Sequence, residues 1–385
     1  MIGVRHFLAP EARAADPIRV ADAMAGIHAT DPASVYLGLR ARVRDLTHES
    51  LATELYDTHA LLKVLGMRRT MFVAPRQLAS VIQAAAGIDV AIRERKRLLK
   101  MLEGAGITSD PVRWLADVED QTVATLAELG EATASDLTKR VPGLREQIRF
   151  GIGKKYESTV GVSTRLLFLL STEGRIIRGR PKGSWLSSLY RWAPMDTWVA
   201  GGLEPWPPQR AHAELVRRWL RAFGPGTQQD IAWWTGWTVA RTKAALRAVG
   251  AVEVSMPADS GETTGWALPD DLEPTPPVEP WIALLPALDT TIMAWNERAF
   301  YLGEHAKQLF DTNGNAGPTI WADGRVVGLW AQRPNGEVVT RLLEPVGGEE
   351  SDAIDAEAAR LTTWLGGDRV FPRFPNPVFQ ALGAS

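Results

Sequence analysis

The 385-residue sequence contains no cysteine, which excludes disulfides, thiolate metal sites and a cysteine nucleophile. It also lacks an uninterrupted apolar run of the ~18 residues that a membrane-spanning helix requires. The opening stretch, Met1 to Pro17, shows neither the basic start nor the apolar core of a secretory signal. A soluble cytoplasmic protein without membrane contact is expected. Signatures of common chemistries are missing too: there is no phosphate loop, no His-Glu-x-x-His pair and no nucleophile elbow. No metal or cofactor is expected. The run Gly151-Ile152-Gly153-Lys154-Lys155 lacks the spacing of a phosphate loop and the hydroxyl residue after its lysine. Lys154 and Lys155 read better as contacts to a nucleic-acid backbone.

An overall excess of one charge is also absent, since the net value is −2. Its distribution is uneven, however. Residues 139–191 hold twelve Lys/Arg and three Asp/Glu, a local +9 that leaves −11 for the rest. Basic residues concentrated in one stretch of a near-neutral chain are the footprint of a phosphate-binding surface. A smaller cluster, Arg93, Arg95, Lys96, Arg97 and Lys100, precedes it.

What is present is a recurring unit of an amphipathic helix, a glycine and a short β-rich segment. It occurs at Leu61–Gly66 with Arg68–Val73, at Arg165–Gly174 with Arg175–Arg178, and at Ala244–Gly250 with Val252–Val254. Glycine closes a helix in the left-handed conformation, and the β-branched residues after it favour a strand. Upstream, Val112–Leu129 and Ala211–Phe223 have helical spacing, each stopped by glycine. Thr133 and Thr227 are then set as caps for the next helix. Helix, turn, helix, helix, strand is the order of a helix–turn–helix with a wing. A strand over Trp185–Trp192 returning to Ile176–Arg178 would put Arg178, Arg180 and Lys182 at a wing tip, suited to DNA phosphate.

A Pro-rich linker, Glu273–Pro280, precedes a β-rich end with an apolar run at Trp281–Leu288 and an Asp323-Gly324 hairpin turn. A helix is expected over Asp352–Leu365. The fold class is α+β, mostly helical, with winged-helix domains at 1–105, 106–205 and 206–272 and a β-rich domain at 273–385. Most of the fifteen tryptophans belong in the core or at interfaces.

One loop carries reactive groups. A helix from Pro17 ends at Gly26 and another begins at Pro32, so His28, Thr30 and Asp31 share a short connection. Asp before Pro is also the pattern of a helix cap followed by a first-turn proline, and a structural role alone accounts for Asp31 on local grounds.

The order of features resembles the AlkZ/YcaQ-type DNA glycosylases. The similar pieces are Ala25–Arg42, Gly66–Phe72, Leu284–Asp289 with Arg298, and Ala322–Trp330, which together span nearly the whole chain. The resemblance implies tandem winged helices in a C-shape and excision of alkylated bases or unhooking of interstrand crosslinks. Damaged double-stranded DNA would be the partner and the protein a monomer. The family pattern in the first loop is Gln-x-Gln or Gln-x-Asp, and this sequence departs from it. His28 falls at the first position, Thr30 at the second, and the carboxylate of Asp31 one residue later. The candidate catalytic residues are His28, Thr30 and Asp31. Asp289 and Arg298 stand where the family has an Asp…Arg pair, expected as an ion pair or phosphate clamp. With Arg68, Arg69 and Arg325 they complete the candidate DNA contacts. A monofunctional hydrolase of N7-alkylpurines is the leading expectation, and a non-catalytic winged-helix regulator is its rival.

Overall fold

The computed structural model describes residues 1–150, 157–258, 261–374 and 377–384. The chain divides into two compact units, Met1–Ala52 with Val73–Pro75 and Ala213–Ser385, and Thr53–Phe72 with Arg76–His212.

Along the chain one order of elements occurs three times, helix, strand or single bridge residue, helix, helix, strand, strand, with a hairpin added between the last two helices of the second set. The first set is α1 (Pro17–Ala23), β1 (Ile27–His28), α2 (Pro32–Arg40), α3 (His48–Tyr56), β2 (Leu61–Leu65) and β3 (Met71–Pro75). Leu61–Leu65 is thus a strand, whereas its apolar residues suggested the end of a helix. A run of five between Ala60 and Gly66 is too short to favour a helix by periodicity, and length decides in favour of a strand. A tight turn follows, closed by the Gly66 N–H on Thr70 O at 2.9 Å, with Arg68 and Arg69 both at positive φ. A Cβ on Gly66 would lie 2.5 Å from Ile82 Cγ2, so only glycine fits the approach.

A long amphipathic helix, α4 (Ile88–Gly104), leads into the second set. This comprises α5 (Pro111–Leu129), the single bridge residue Ala132, α6 (Ala134–Arg140), a hairpin of β4 (Gln147–Phe150) and β5 (Ser158–Gly161), α7 (Val162–Thr172), β6 (Ile176–Pro181) and β7 (Tyr190–Pro194). Ala132 exchanges both backbone hydrogen bonds with Trp192 of β7, at 3.0 and 2.7 Å. Leu115, Leu126, Leu137, Leu166, Leu170 and Ile176 form its core with Trp192. Gly130 and Gly174 end their helices at positive φ, as the sequence indicates. The β7 strand begins only at Tyr190, five residues later than expected.

The third set is α8 (Pro208–Phe223), the bridge residue Gly226, α9 (Gln228–Thr235), α10 (Val239–Ala248), β8 (Val252–Ala258) and β9 (Gly261–Ala267). Gly226 exchanges hydrogen bonds with Trp266 of β9 as Ala132 does with Trp192. In both sets the residue after the bridge is a threonine, Thr133 or Thr227, in a reciprocal capping box with an aspartate three residues on. The first set differs here. Ala29 and Thr30 intervene between strand and cap, and the cap is Asp31. The reactive loop is thus a two-residue extension at the strand-to-helix corner of a repeated unit.

The C-terminal part is an antiparallel meander of β10 (Ile282–Leu285), β11 (Thr319–Ala322), β12 (Arg325–Gln332) and β13 (Val338–Leu342). Asp323 and Gly324 both take positive φ, which the two-residue hairpin turn between β11 and β12 requires. Helix α11 (Gly348–Leu365) packs on β10 and β13, and α12 (Pro377–Ala384) on β12. Trp321 and Trp330 are buried here. Among the described residues no helix is long and apolar enough to cross a membrane.

Candidate active site

The reactive loop is held from three sides. Ala25 and Gly26 turn the chain out of α1 at positive φ, and the extended residue His28 donates its backbone N–H to Thr290 Oγ1 at 2.9 Å. His28 is buried. Asp31 is buried too, and its two oxygens have different duties. Oδ1 accepts the Ala33 N–H at 3.1 Å and caps α2. Oδ2 accepts the backbone N–H of Arg373 at 3.1 Å. The Arg373 guanidinium in turn donates to the Thr30 carbonyl at 3.1 Å. Among the described residues Asp31 forms no ion pair, and burial pushes its carboxyl above the usual range against the pull of the two amides and of the Arg373 charge. The Thr30 hydroxyl oxygen is buried without a hydrogen-bond partner among the described residues. Asp31 lines a cavity of about 440 Å³ walled by Leu37, Pro286, Trp330, Phe371 and Phe379.

Behind the loop lies a buried polar network. Arg42, fully buried, donates to both Asp289 oxygens at 2.8 and 2.7 Å, to Thr291 Oγ1 at 2.8 Å and to Gly38 O at 2.6 Å. A Cβ on Gly38 would come within 3.1 Å of Asp289 Oδ2. Asp289 also accepts the Thr291 N–H at 2.8 Å, fixing the turn from which Thr290 holds His28. The partner of Asp289 is therefore Arg42, and not the Arg298 that the family resemblance had implied. Arg298 instead stacks over Trp233 and Phe310 at 4.7 and 4.5 Å and donates to Trp295 O. Arg42, two residues past the end of α2, supplies the close, rigid geometry that a bidentate pair demands.

His6 completes the network. Its Nε2 lies 3.2 Å from Ala222 O, which can only accept, so Nε2 carries the proton. Its Nδ1, 2.8 Å from Thr291 Oγ1, then accepts from that hydroxyl. Burial, with Arg42 nearby, pushes the His6 pKa down to about 3. Neither His6 nor Arg373 stood out in the sequence, and Arg42 appeared only as the end of the Ala25–Arg42 piece.

The candidate DNA contacts fare unevenly. Lys154 and Lys155 lie outside the described residues. Arg178 and Arg180 sit within β6 rather than at a wing tip. Arg178 lies over the Tyr190 ring at 4.3 Å, and Arg180 pairs with Asp57 at 2.6 Å and covers Tyr56. Their alternation with buried strand neighbours brings them onto aromatic and acidic partners. Lys182 alone belongs to the turn after β6. Arg325 pairs with Glu344. Arg69 pairs with Glu94 at 3.0 Å and lies over Phe168, and Arg68 stands beside it in the turn. A denser positive cluster appears where Arg165 of α7, Arg97 of α4 and Arg69 come together. Burial, and then the charges of Arg97 and Arg69, depress the Arg165 pKa against the opposing charge of Glu94. Among the described residues neither Arg165 nor Arg97 forms an ion pair.

Over residues 21–364 the chain matches the family described as DNA glycosylase AlkZ-like. It belongs to the AlkZ-like DNA glycosylase family. Membership makes it a DNA glycosylase, an enzyme that binds DNA and acts in its repair. The solved structure of the DNA glycosylase AlkZ of Streptomyces sahachiroi shares the fold, with a TM-score of 0.71 at 19% identity over 96% of this chain and 95% of that one. No curated protein matches the sequence. For a glycosylase, the loop 27–31 offers a carboxylate, a hydroxyl and an imidazole on a braced corner. A carboxylate can stabilise a sugar with oxocarbenium character, and it can orient or deprotonate a water.

Proposed function

We propose that this glycosylase hydrolyses the N-glycosidic bond of N7-alkylated purines in duplex DNA, with Asp31 as the catalytic carboxylate. The observation that supports it is the position of Asp31: buried, without an ion pair among the described residues, and in the wall of an aromatic cavity. An N7-alkylpurine is already cationic and departs without strong acid catalysis. The enzyme then has to stabilise the positive sugar and bring water to its anomeric carbon. Asp31 supplies the negative charge, the unpartnered hydroxyl of Thr30 holds the water, and His28 orients it. The chemistry is monofunctional, water being the nucleophile. Crosslinks joined through N7 of guanine fall within the same chemistry, so unhooking them is an extension of it. The protein acts as a monomer, its DNA backbone contacts centred on Arg69, Arg97 and Arg165, with Arg68, Lys182 and the Lys154–Lys155 segment extending them.

A second reading starts from the same bonds. Asp31 accepts one backbone N–H at each oxygen, which suits a helix cap that also anchors residue 373. On that reading the chemistry rests on Thr30 and His28. Excision from an oligonucleotide bearing one N7-methylguanine tests the main proposal. The wild-type enzyme should leave an abasic site, and D31N should lose roughly 10²-fold or more, the scale of electrostatic and general-base contributions. Intact N7-methylguanine after prolonged incubation with wild-type enzyme would overturn the assignment of substrate.

A further inference from the structure

The cavity beside Asp31 has a composition that specifies its occupant. Its volume of about 440 Å³ lies within the ~300–1,000 Å³ of small-molecule sites, ample for a purine. Its walls are apolar and include the rings of Trp330, Phe371 and Phe379. The Trp330 indole N–H is already bonded to Leu285 O at 2.8 Å, so the ring offers only its hydrocarbon surface. Gln332, also in the lining, spends its amide on Gly336 O, Asp368 O and the Val370 N–H. Asp31 is the single ionisable side chain among the described lining residues. Phosphate and carboxylate ligands are disfavoured, because no cation is among the described lining residues and the nearby Arg373 charge does not bring the Asp31 carboxyl back to its usual range. A neutral apolar occupant is disfavoured too, since it would seal the carboxylate further from water, where two amides and the Arg373 charge already fail to offset its burial. Charge complementarity and flat aromatic walls together call for a planar cation. At the rim Phe371 is 67% exposed, an aromatic surface left bare where a ring can slide in.

We propose that this cavity takes the alkylated purine itself, as a planar heteroaromatic cation stacked on Phe371 with Asp31 as its counter-charge. The inference rests on the N7-alkylpurine reading and extends it from the reaction to the place where the base is held. It implies that the damaged base leaves the helix stack before its bond is cut.

The probe is 7-methylguanosine, compared with guanosine, in calorimetric titrations of the full chain. Excision from the N7-methylguanine oligonucleotide is measured in parallel. The expected result is binding of the methylated, cationic nucleoside at least tenfold tighter than guanosine. That preference should vanish in D31N, and affinity should weaken in Phe371→Ala, whose exposed side chain can be removed without loss of core. Phe371→Ala should also slow excision. If wild type excises the lesion, yet neither nucleoside binds and Phe371→Ala excises at the wild-type rate, the cavity is not the base site and the glycosylase reading stands. Equal affinity for the two nucleosides would also overturn the inference. Charge-selective binding by a protein that fails to excise would support the cavity and remove the substrate reading.

Discussion

Arg42 and Asp289 form a buried bidentate ion pair, 2.8 and 2.7 Å at its two contacts, that ties the end of α2 to the turn carrying Thr290. Both side chains are essentially inaccessible. Removing one partner leaves the other charge buried and uncompensated, which costs about 3–5 kcal/mol. Arg42→Ala and Asp289→Ala should each destabilise by that amount in urea unfolding. The double variant should cost much less than the sum, because the second change removes the stranded charge. Additive losses would mean that the two residues act separately.

His6 makes the same network sensitive to pH. Its folded pKa is about 3 against an ordinary 6.5. Above pH ~6.5 the imidazole is neutral in both states, and its contribution to stability is complete. As pH falls below that value the unfolded chain takes up a proton that the folded chain refuses. Stability should therefore drop by about 1.4 kcal/mol per pH unit down to pH ~3. Urea midpoints for wild type and His6→Gln, compared between pH 7 and 4.5, should diverge in slope by one proton. Parallel curves would show that His6 titrates normally in the fold.

The positive cluster of Arg69, Arg97 and Arg165 predicts where salt acts on DNA binding. Neutralising one phosphate contact should lower the dependence of log K on log salt by about 1. Arg165→Ala and Arg97→Ala should each do so. Arg180→Ala should change the slope little, because Arg180 is committed to Asp57 and Tyr56. Fluorescence anisotropy across a salt series decides. An unchanged slope in Arg165→Ala would move the backbone contact elsewhere.

The helices of the second and third sets were legible because caps, periodicity and terminal glycines agree locally: Thr133 and Thr227 precede an aspartate at the third helical position, and Gly130, Gly174 and Gly250 sit at positive φ. The Asp323-Gly324 turn was legible for the same reason. Leu61–Leu65 was misread since a five-residue run, four apolar residues and Lys63, carries no usable period. The partner of Asp289 was misread because ion pairs depend on tertiary distance: Arg42 is 247 positions away, whereas Arg298 is near in sequence and turned toward Trp233. Arg373 could not have been anticipated, because it meets Asp31 through its backbone amide, which leaves no side-chain signature. The wing arginines looked free only because their partners, Asp57 and Tyr190, are assembled by the fold.

The same Asp31 atoms that suggest catalysis also cap a helix, and substitution can separate the two. Serine is a good N-cap with no negative charge. Asp31→Ser should keep the bond to the Ala33 N–H and stay within about 1 kcal/mol of wild type in stability, yet lose roughly 10²-fold in excision. Asp31→Ala should lose both, the missing cap alone costing ~0.5–2 kcal/mol. Burial raises the Asp31 pKa, and the reaction needs the ionised form. Excision should therefore decline on acidification at a pH above the ordinary carboxylate range, and this limb of the single-turnover profile should be missing in Asp31→Ser. A serine variant with wild-type rate and an unchanged acid limb would leave Asp31 as a cap alone and pass the chemistry to Thr30 and His28.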